Sequence, residues 1–393
     1  MGLLVQLTIL ITARNAANTI QRTILSCMEE PANILLVDDH CTDDTIAKAK
    51  HIAGGKLRVI HSPEPGGLPI ARQTGLDAVE TPYAAWLDAD DAWISGRADR
   101  IIEALHQGYD IVTDTIDLYD GRSGKFLRHL RVPGFILETA GQFRLFERNY
   151  LPGDTQVGFR IKTFRSAGGY DPHIFGPESY DLLLRAIANG ATFFHLQESG
   201  YRMYAYPKSV SRDLQRIRLA TASALRKHSY ENVRGLCQNV RYPPRIISWM
   251  LVSMAIFRKE YDVALDFLEQ ASPVDSGPLA IIEPDGPVPL PEGWRCAFTE
   301  GTLNLLLGGH DQAAVVALEK AETILPTSEG ANNLGVACRR LGKADRARDH
   351  FIKALDRFPD YLDAKMNLNE KESCRITTHP LRRQASRNEY PTP

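Results

Sequence analysis

Cysteine is scarce. The 393-residue chain has six, at 27, 41, 237, 296, 338 and 374, with no C-x-x-C pair or other metal-ligand spacing. That pattern excludes a short-spaced zinc site, argues against a disulfide framework and fits thiols kept reduced. None has a base partner recognisable in sequence, so no cysteine nucleophile is expected. An excess of one charge is also missing: 46 Lys and Arg face 48 Asp and Glu, a net charge of −2. A polyanion would find no electrostatic footprint here, so no nucleic-acid partner is expected. No apolar run reaches the ~18 residues of a membrane span. Beyond the N-terminus the longest is "WMLVSMAIF" at 249–257. The opening "MGLLVQLTILITARN" lacks a basic leading region and a small-residue cleavage site, so a first strand is expected, not a signal peptide. A cytoplasmic protein without a transmembrane segment is the expectation.

What is present is a globular composition, 44% hydrophobic and 24% charged, in a chain long enough for two domains. Strand-like runs recur at a steady interval: "LTILIT" (7–12), "NILLVDD" (33–39), "LRVIHS" (57–62), "YAAWLD" (83–88) and "YDIVTD" (109–114). Helical patterns lie between them, "NTIQRTILSCMEE", "DDTIAKAKHIA", "PIARQTGLDAV" and "GRADRIIEALHQ". Strand and crossover helix in alternation predict an α/β domain with a mostly parallel sheet. Such sheets take ligands at the carboxyl ends of their strands. Asp38 and Asp39 end the second run, and Asp88, Asp90 and Asp91 end the fourth, so both acidic groups are expected on one rim. Further on, "DLYDGRSGKFLRHLRV" reads as a hairpin and "ESYDLLLRAIANG" (178–190) as a helix closed by Gly190.

Beyond Pro207 the pattern is helical. "LGGHDQAAVVALEKAETILP" and "LGKADRARDHFIKALDRFP" align with one gap, pairing Gly309 with Gly342, Ala314 with Ala347, Ala321 with Ala354 and Pro326 with Pro359. A recurrent small residue, facing alanine and closing proline suit stacked helix hairpins, and the pattern resembles tetratricopeptide repeats, whose period is ~34. An earlier unit, "FRKEYDVALDFLEQASP" (257–273), shares these landmarks, and the proline-rich "PVDSGPLAIIEPDGPVPLPEGW" after it reads as a loop. The expected division is 1–212 for the α/β domain, 213–245 for a helical linker, 246–370 for an all-α repeat domain and 371–393 for a disordered tail.

The crowded acids of "DADD" repel one another and need a positive charge. A divalent cation held by one or two carboxylates and completed by phosphate oxygens would supply it, as a nucleoside-diphosphate sugar requires. Capping and turn aspartates at strand-to-helix junctions are the alternative.

The ordered series "ILITARNAANTI", "ILLVDDHCTDDT", "PGGLPIARQTGLDAV", "YAAWLDADDAW", "SAGGYDPHIFGPESYDLLLRA" and "YRMYAYPKSVSR" spans residues 7–212. It resembles family 2 glycosyltransferases of the GT-A fold over a little more than half the chain. The resemblance implies a nucleotide-sugar donor, a divalent metal (manganese or magnesium) and inversion at the anomeric carbon. Carried over by motif, Thr12 and Arg14 cup the nucleobase and Asp39 accepts from the uracil edge, with Asp38 sharing or supporting that role. Arg72 approaches the diphosphate or uridine, Asp88 holds ribose or sugar hydroxyls, Asp90 is the metal ligand, and Asp91 supports it or touches the sugar.

An inverting transfer needs a base for the acceptor proton. The family usually writes Glu-Asp-aromatic-Asp here, with the second residue as base, where this chain has Glu178-Ser179-Tyr180-Asp181. Glu178 and Asp181 share one helix face, and Glu178 at the helix start is the preferred base. Tyr204 replaces a histidine common in the family, and His40 and Cys41 stand where glycine and serine are usual.

The resulting expectation is an inverting, metal-dependent glycosyltransferase acting on a hydroxyl of a peptide, protein or glycan. The repeats would recognise the acceptor or form a homo-oligomer. The competing reading is a degenerate domain that binds nucleotide while the repeats act as scaffold. The basic "SRDLQRIRLATASALRKH" (211–228) is either a membrane-surface helix or a solvated helix face.

Overall fold

The computed structural model describes residues 5–63, 66–138, 140–206, 214–271, 279–283, 286–370, 372 and 374–378. The chain divides into two compact units between Val240 and Arg241.

The first unit is built on nine strands: β1 (Leu7–Ala13), β2 (Asn33–Asp38), β3 (Leu57–His61), β4 (Tyr83–Trp86), β5 (Ala92–Trp93), β6 (Ile111–Asp120), β7 (Phe126–Leu130), β8 (Gly158–Arg160) and β9 (Phe193–Ala205). Its helices are α1 (Ile20–Cys27), α2 (Thr45–Ala53), α3 (Leu68–Ala78), α4 (Arg97–His106), α5 (Gly134–Leu137), α6 (Ile161–Ser166), α7 (Glu178–Ala188), α8 (Leu214–Arg226) and α9 (Tyr230–Asn239). The sheet runs β3-β2-β1-β4-β8-β6-β9-β5, with β7 paired to β6 as the expected hairpin. All of β1 is buried, as a strand covered on both faces requires.

The first four runs form the parallel half foreseen from the sequence, β2 and β4 flanking β1. The sheet as a whole is mixed, which corrects the expectation of a mostly parallel one. The fifth run does not neighbour the fourth. Short β8 lies between β4 and β6, antiparallel to both. It is too short to show alternation, and a Cβ at its Gly158 would stand 2.4 Å from Ile101. Where the sequence suggests a linker over 213–245, α8 packs on α7 within the first unit. Residues 207–213, which include the last part of the sixth motif, lie outside the described residues.

The second unit continues with α10 (Pro244–Arg258), α11 (Tyr261–Gln270), α12 (Glu292–Leu307), α13 (Asp311–Ile324), α14 (Ser328–Arg340), α15 (Ala344–Arg357) and α16 (Leu362–Asn369), each packed on the next. The sequence repeat is a structural repeat. Gly309 and Gly342 both turn the chain in the left-handed region, at φ +74° and +73°. Ala314, Ala321, Ala347 and Ala354 are buried. Gly301 lets α12 close on Leu318 of α13, and Gly335 lets α14 close on Phe351 of α15; a Cβ at either would come within 2.6 Å. The proline-rich segment read as a loop contains β10 (Leu279–Glu283) paired antiparallel with β11 (Gly286–Leu290). Alternating apolar residues on each side allow the pairing, and prolines are tolerated because such a ribbon has open edges. Of the tail expected over 371–393, residues 374–378 and 372 are described, and the rest lies outside the described residues.

Candidate active site at the rim of the sheet

Parallel pairing brings the carboxyl ends of β1, β2 and β4 together, with Ala13 beside Asp38 and Leu10 beside Trp86. The loops after β1 and β2 are tied to one another. Asn15 accepts from the Thr42 amide at 2.8 Å, and Asp43 accepts from the Ala17 amide at 3.1 Å. Asn15 and His40 both adopt left-handed backbone, at φ +54° and +57°, a strain often kept where a loop must hold a shape.

Asp38 and Asp39 separate cleanly. The Asp38 carboxylate accepts from the Cys41 amide at 2.8 Å and lies 3.1 Å from His61 Nδ1, so it shapes the loop. Asp39 lies 3.5 Å from Arg14 through Oδ2, while its buried Oδ1 has no hydrogen-bond partner among the described residues. A buried acceptor left open costs stability unless a ligand donates to it. Arg14 is half exposed beside it, and Thr12 is buried at the end of β1.

Arg72 is a buried junction, not a surface arginine. Its guanidinium donates to Glu178 Oε1, to Thr155 Oγ1 at 2.9 Å, to Ser179 Oγ at 2.8 Å and to Asp88 Oδ1 at 3.3 Å. Gln156 donates to the other Asp88 oxygen. Glu178 is fully buried, and its second oxygen accepts from the Gly176 amide at 2.8 Å. Asp154, half-buried near this cluster, has its carboxyl pushed up to about 6 by burial and by Glu178, against the pull of Arg72.

The acids of "DADD" take different surroundings. Asp91 is buried and accepts from Tyr201 Oη at 2.9 Å and the Tyr204 amide at 2.7 Å, which ties the turn to β9. Burial, then Asp90 and Asp88, push its carboxyl well up. Asp90 is half-buried, and no side-chain donor reaches its carboxylate among the described residues. Burial, then Asp88, push it up to about 6, partly countered by Arg22. Arg22 donates to the Asp90 carbonyl and stacks 3.5 Å above the Tyr204 ring. An open groove of roughly 550 Å³ adjoins, lined by Asn18, Gln21, Arg22, Arg202 and Tyr204 among others. Arg72 and Arg22 are thus the resident positive charges that make the acidic rim tolerable.

The structure gathers Arg72, Asp88 and Glu178 in one cluster, Asp90 and Asp91 in the turn beside it, and Thr12, Arg14 and Asp39 at the neighbouring strand ends. It leaves Asp181 out. That buried carboxylate is taken by Arg185 at 2.6 Å and Lys227 at 2.7 Å and fastens α7 to α8. Arg22, Asp154, Gln156 and Tyr201 escaped the sequence reading. Arg22 looks like any polar position of α1, and "LPGDTQVGFR" has no periodicity that would place Asp154 or Gln156. Burial holds the Cys27 and Cys237 thiols at about 12, consistent with no cysteine nucleophile.

Residues 8–167 match the family model Glycosyl transferase family 2, from β1 through the end of α6. The chain is 30% identical over 224 residues to the succinoglycan biosynthesis protein ExoU of Rhizobium meliloti (strain 1021), across 52% of this chain and 63% of that protein. It is 28% identical over 100 residues to the Escherichia coli UDP-Glc:alpha-D-GlcNAc-diphosphoundecaprenol beta-1,3-glucosyltransferase WfgD, across 25% of this chain and 40% of that one. The chain therefore spans less than two thirds of either relative. Among solved structures, S. aureus TarS 1-349 in complex with UDP-GlcNAc aligns with a TM-score of 0.49 and 13% identity, over 91% of this chain and 93% of that one. The N-terminal unit thus carries a glycosyl transferase family 2 domain. Among the described residues no helix is long and apolar enough to cross a membrane.

Proposed function

We propose that this chain transfers a sugar, with inversion, from a UDP-sugar to an acceptor hydroxyl. The observation that carries the reading is the pair of open carboxylates on one rim. Asp39 Oδ1 is buried without a donor, and Asp90 has no side-chain donor among the described residues. Asp39 accepts the uracil ring N–H, a donor cytosine lacks, with Arg14 and Thr12 beside the base. Arg72 and Asp88 lie where diphosphate and sugar hydroxyls would pass.

No group of three metal-ligating side chains exists among the described residues, so a cation cage built wholly from protein does not fit. A lone, partly desolvated carboxylate fits a magnesium or manganese ion that completes its shell with phosphate oxygens. Asp90 would hold that ion, which when bound supplies charge against the departing diphosphate. Asp91 fixes the turn that presents Asp90. Glu178 positions Arg72 and raises the proton affinity of Asp154, and the two form the acceptor-side acid pair. Asp154 is its half-exposed member, with a pKa near the operating range of a general base.

The printed names of the relatives place them in surface-polysaccharide assembly, which favours a glycan acceptor over a peptide. We assign the helices of 246–370 to tetratricopeptide-like repeats on the recurrent glycine and alanine contacts. The scaffold reading keeps one supporting fact, since Ser179 sits in the Arg72 cluster where a base would be usual. A thermal-shift screen of nucleotide sugars with and without manganese separates the two. A UDP-sugar that raises the midpoint and is hydrolysed or transferred supports the enzyme; binding without turnover across glycan acceptors supports the scaffold.

A further inference from the structure

Three asparagines of the helical unit, Asn332 and Asn333 on α14 and Asn367 on α16, are wholly buried. Side-chain amides are buried only with partners, and theirs is a short piece of backbone. Asn367 Oδ1 accepts from the Arg375 amide at 2.8 Å while its Nδ2 donates to the Arg375 carbonyl at 2.9 Å. Asn333 repeats the pattern two residues on, accepting from the Thr377 amide at 2.8 Å and donating to the Thr377 carbonyl at 2.9 Å. Asn332 links the two: it donates to the Arg375 carbonyl at 3.0 Å and accepts from Asn367 at 2.9 Å. The asparagines equivalent in the repeat, each followed by leucine, therefore grip alternate residues of one segment as a neighbouring β-strand would.

The side chains of that segment contribute less. Arg375 is exposed. Cys374 and Ile376 lean on the helical core. The buried Thr377 hydroxyl is bonded to Tyr361 and lies 3.3 Å from Asp363. Recognition is thus mainly of backbone, with an apolar position followed by a hydroxyl position. Such a seam is not specific to the residues that now fill it, and tethering alone gives the chain's own segment millimolar effective concentration.

We propose that this asparagine seam is a binding groove for an extended peptide of a partner protein, carrying an apolar residue followed by Ser or Thr, and that residues 374–378 occupy it as a built-in competitor. The proposal stands on the helical unit alone and is independent of the donor chemistry.

The test is fluorescence anisotropy with a labelled synthetic peptide of residues 372–378 carrying Cys374→Ala. It is titrated with the full chain, with a chain ending at Glu372, and with full-length Thr377→Pro, which lacks the amide that Asn333 accepts. Both altered chains should bind at least about tenfold more tightly than the unaltered one. N-methylation at the Arg375 and Thr377 positions of the peptide should cost about tenfold or more, and alanine at the Arg375 position less than about threefold. No binding to altered chains of unchanged helical circular dichroism, or indifference to N-methylation, overturns the proposal. So does a concentration-dependent dimer of the full chain that excess peptide fails to dissolve, which would assign the groove to a second copy. Should both altered chains lose helicity, amide exchange in the unaltered chain decides. Excess peptide should speed exchange at Thr377, and unchanged exchange contradicts the proposal.

Discussion

At the rim of the sheet the buried polar groups are charged and partly open, with Asp39 Oδ1 lacking a donor and Asp90 resting on the nearby field of Arg22. In the helical unit the buried polar groups are neutral and bonded, Asn333 and Asn367 each matching an amide and a carbonyl of one backbone residue. Open charge costs the fold stability and suits a place where a charged ligand completes the bonding. Bonded amides support the fold and suit recognition of a chain. Substitution should therefore act oppositely in the two regions.

Arg72 marks the limit of that contrast, because its charges are paired. Arg72→Ala leaves Glu178 and Asp88 without their cation and should lower unfolding free energy by about 3–5 kcal/mol in denaturant titration. Adding Glu178→Gln should recover part of the loss; no recovery would deny that the buried charge is the cause. In the helical unit, Asn333→Ala leaves the Thr377 amide and carbonyl unbonded and should cost about 1–3 kcal/mol.

Asp90→Asn should do the reverse and stabilise. The folded protein raises this carboxyl from 3.8 to about 6. Between those values the unfolded chain is ionised while the folded one is protonated, so stability falls as pH rises through that window. Removing the charge should raise stability at pH 7.5 by about 1–2 kcal/mol, allowing for partial exposure, and the gain should fade as pH drops toward 4. A variant equally stabilised at both pH values would count against ionisation as the source. Least of all, Arg14→Ala should change stability by under about 0.5 kcal/mol, since that side chain is half exposed, while weakening UDP binding measurably.

The sequence made the parallel half of the sheet and its acidic rim legible because β1 to β4 are long, apolar and evenly spaced. The helical repeat was legible because its glycines and alanines recur in register. What escaped depended on contacts distant in the chain. Three-residue β8 owes its place to the close approach of Gly158 and Ile101. Asp181 looks like Glu178 on a helix wheel, and its capture by Arg185 and Lys227 decides otherwise. Asp154 gains its basicity from burial near Glu178, which no spacing records. The asparagine seam was invisible because asparagine in a helix carries no signal until the backbone it holds is known.

The central claim is that the open acids of the rim receive a uridine diphosphate and its cation. Calorimetric titration of UDP into the unaltered chain, Asp39→Ala and Asp90→Asn, each with and without manganese, measures it directly. The account predicts binding strengthened by manganese in the unaltered chain. It predicts a loss of about tenfold or more in Asp39→Ala under both conditions and loss of the manganese effect alone in Asp90→Asn. UDP binding of equal strength in all three proteins, indifferent to manganese, would contradict it.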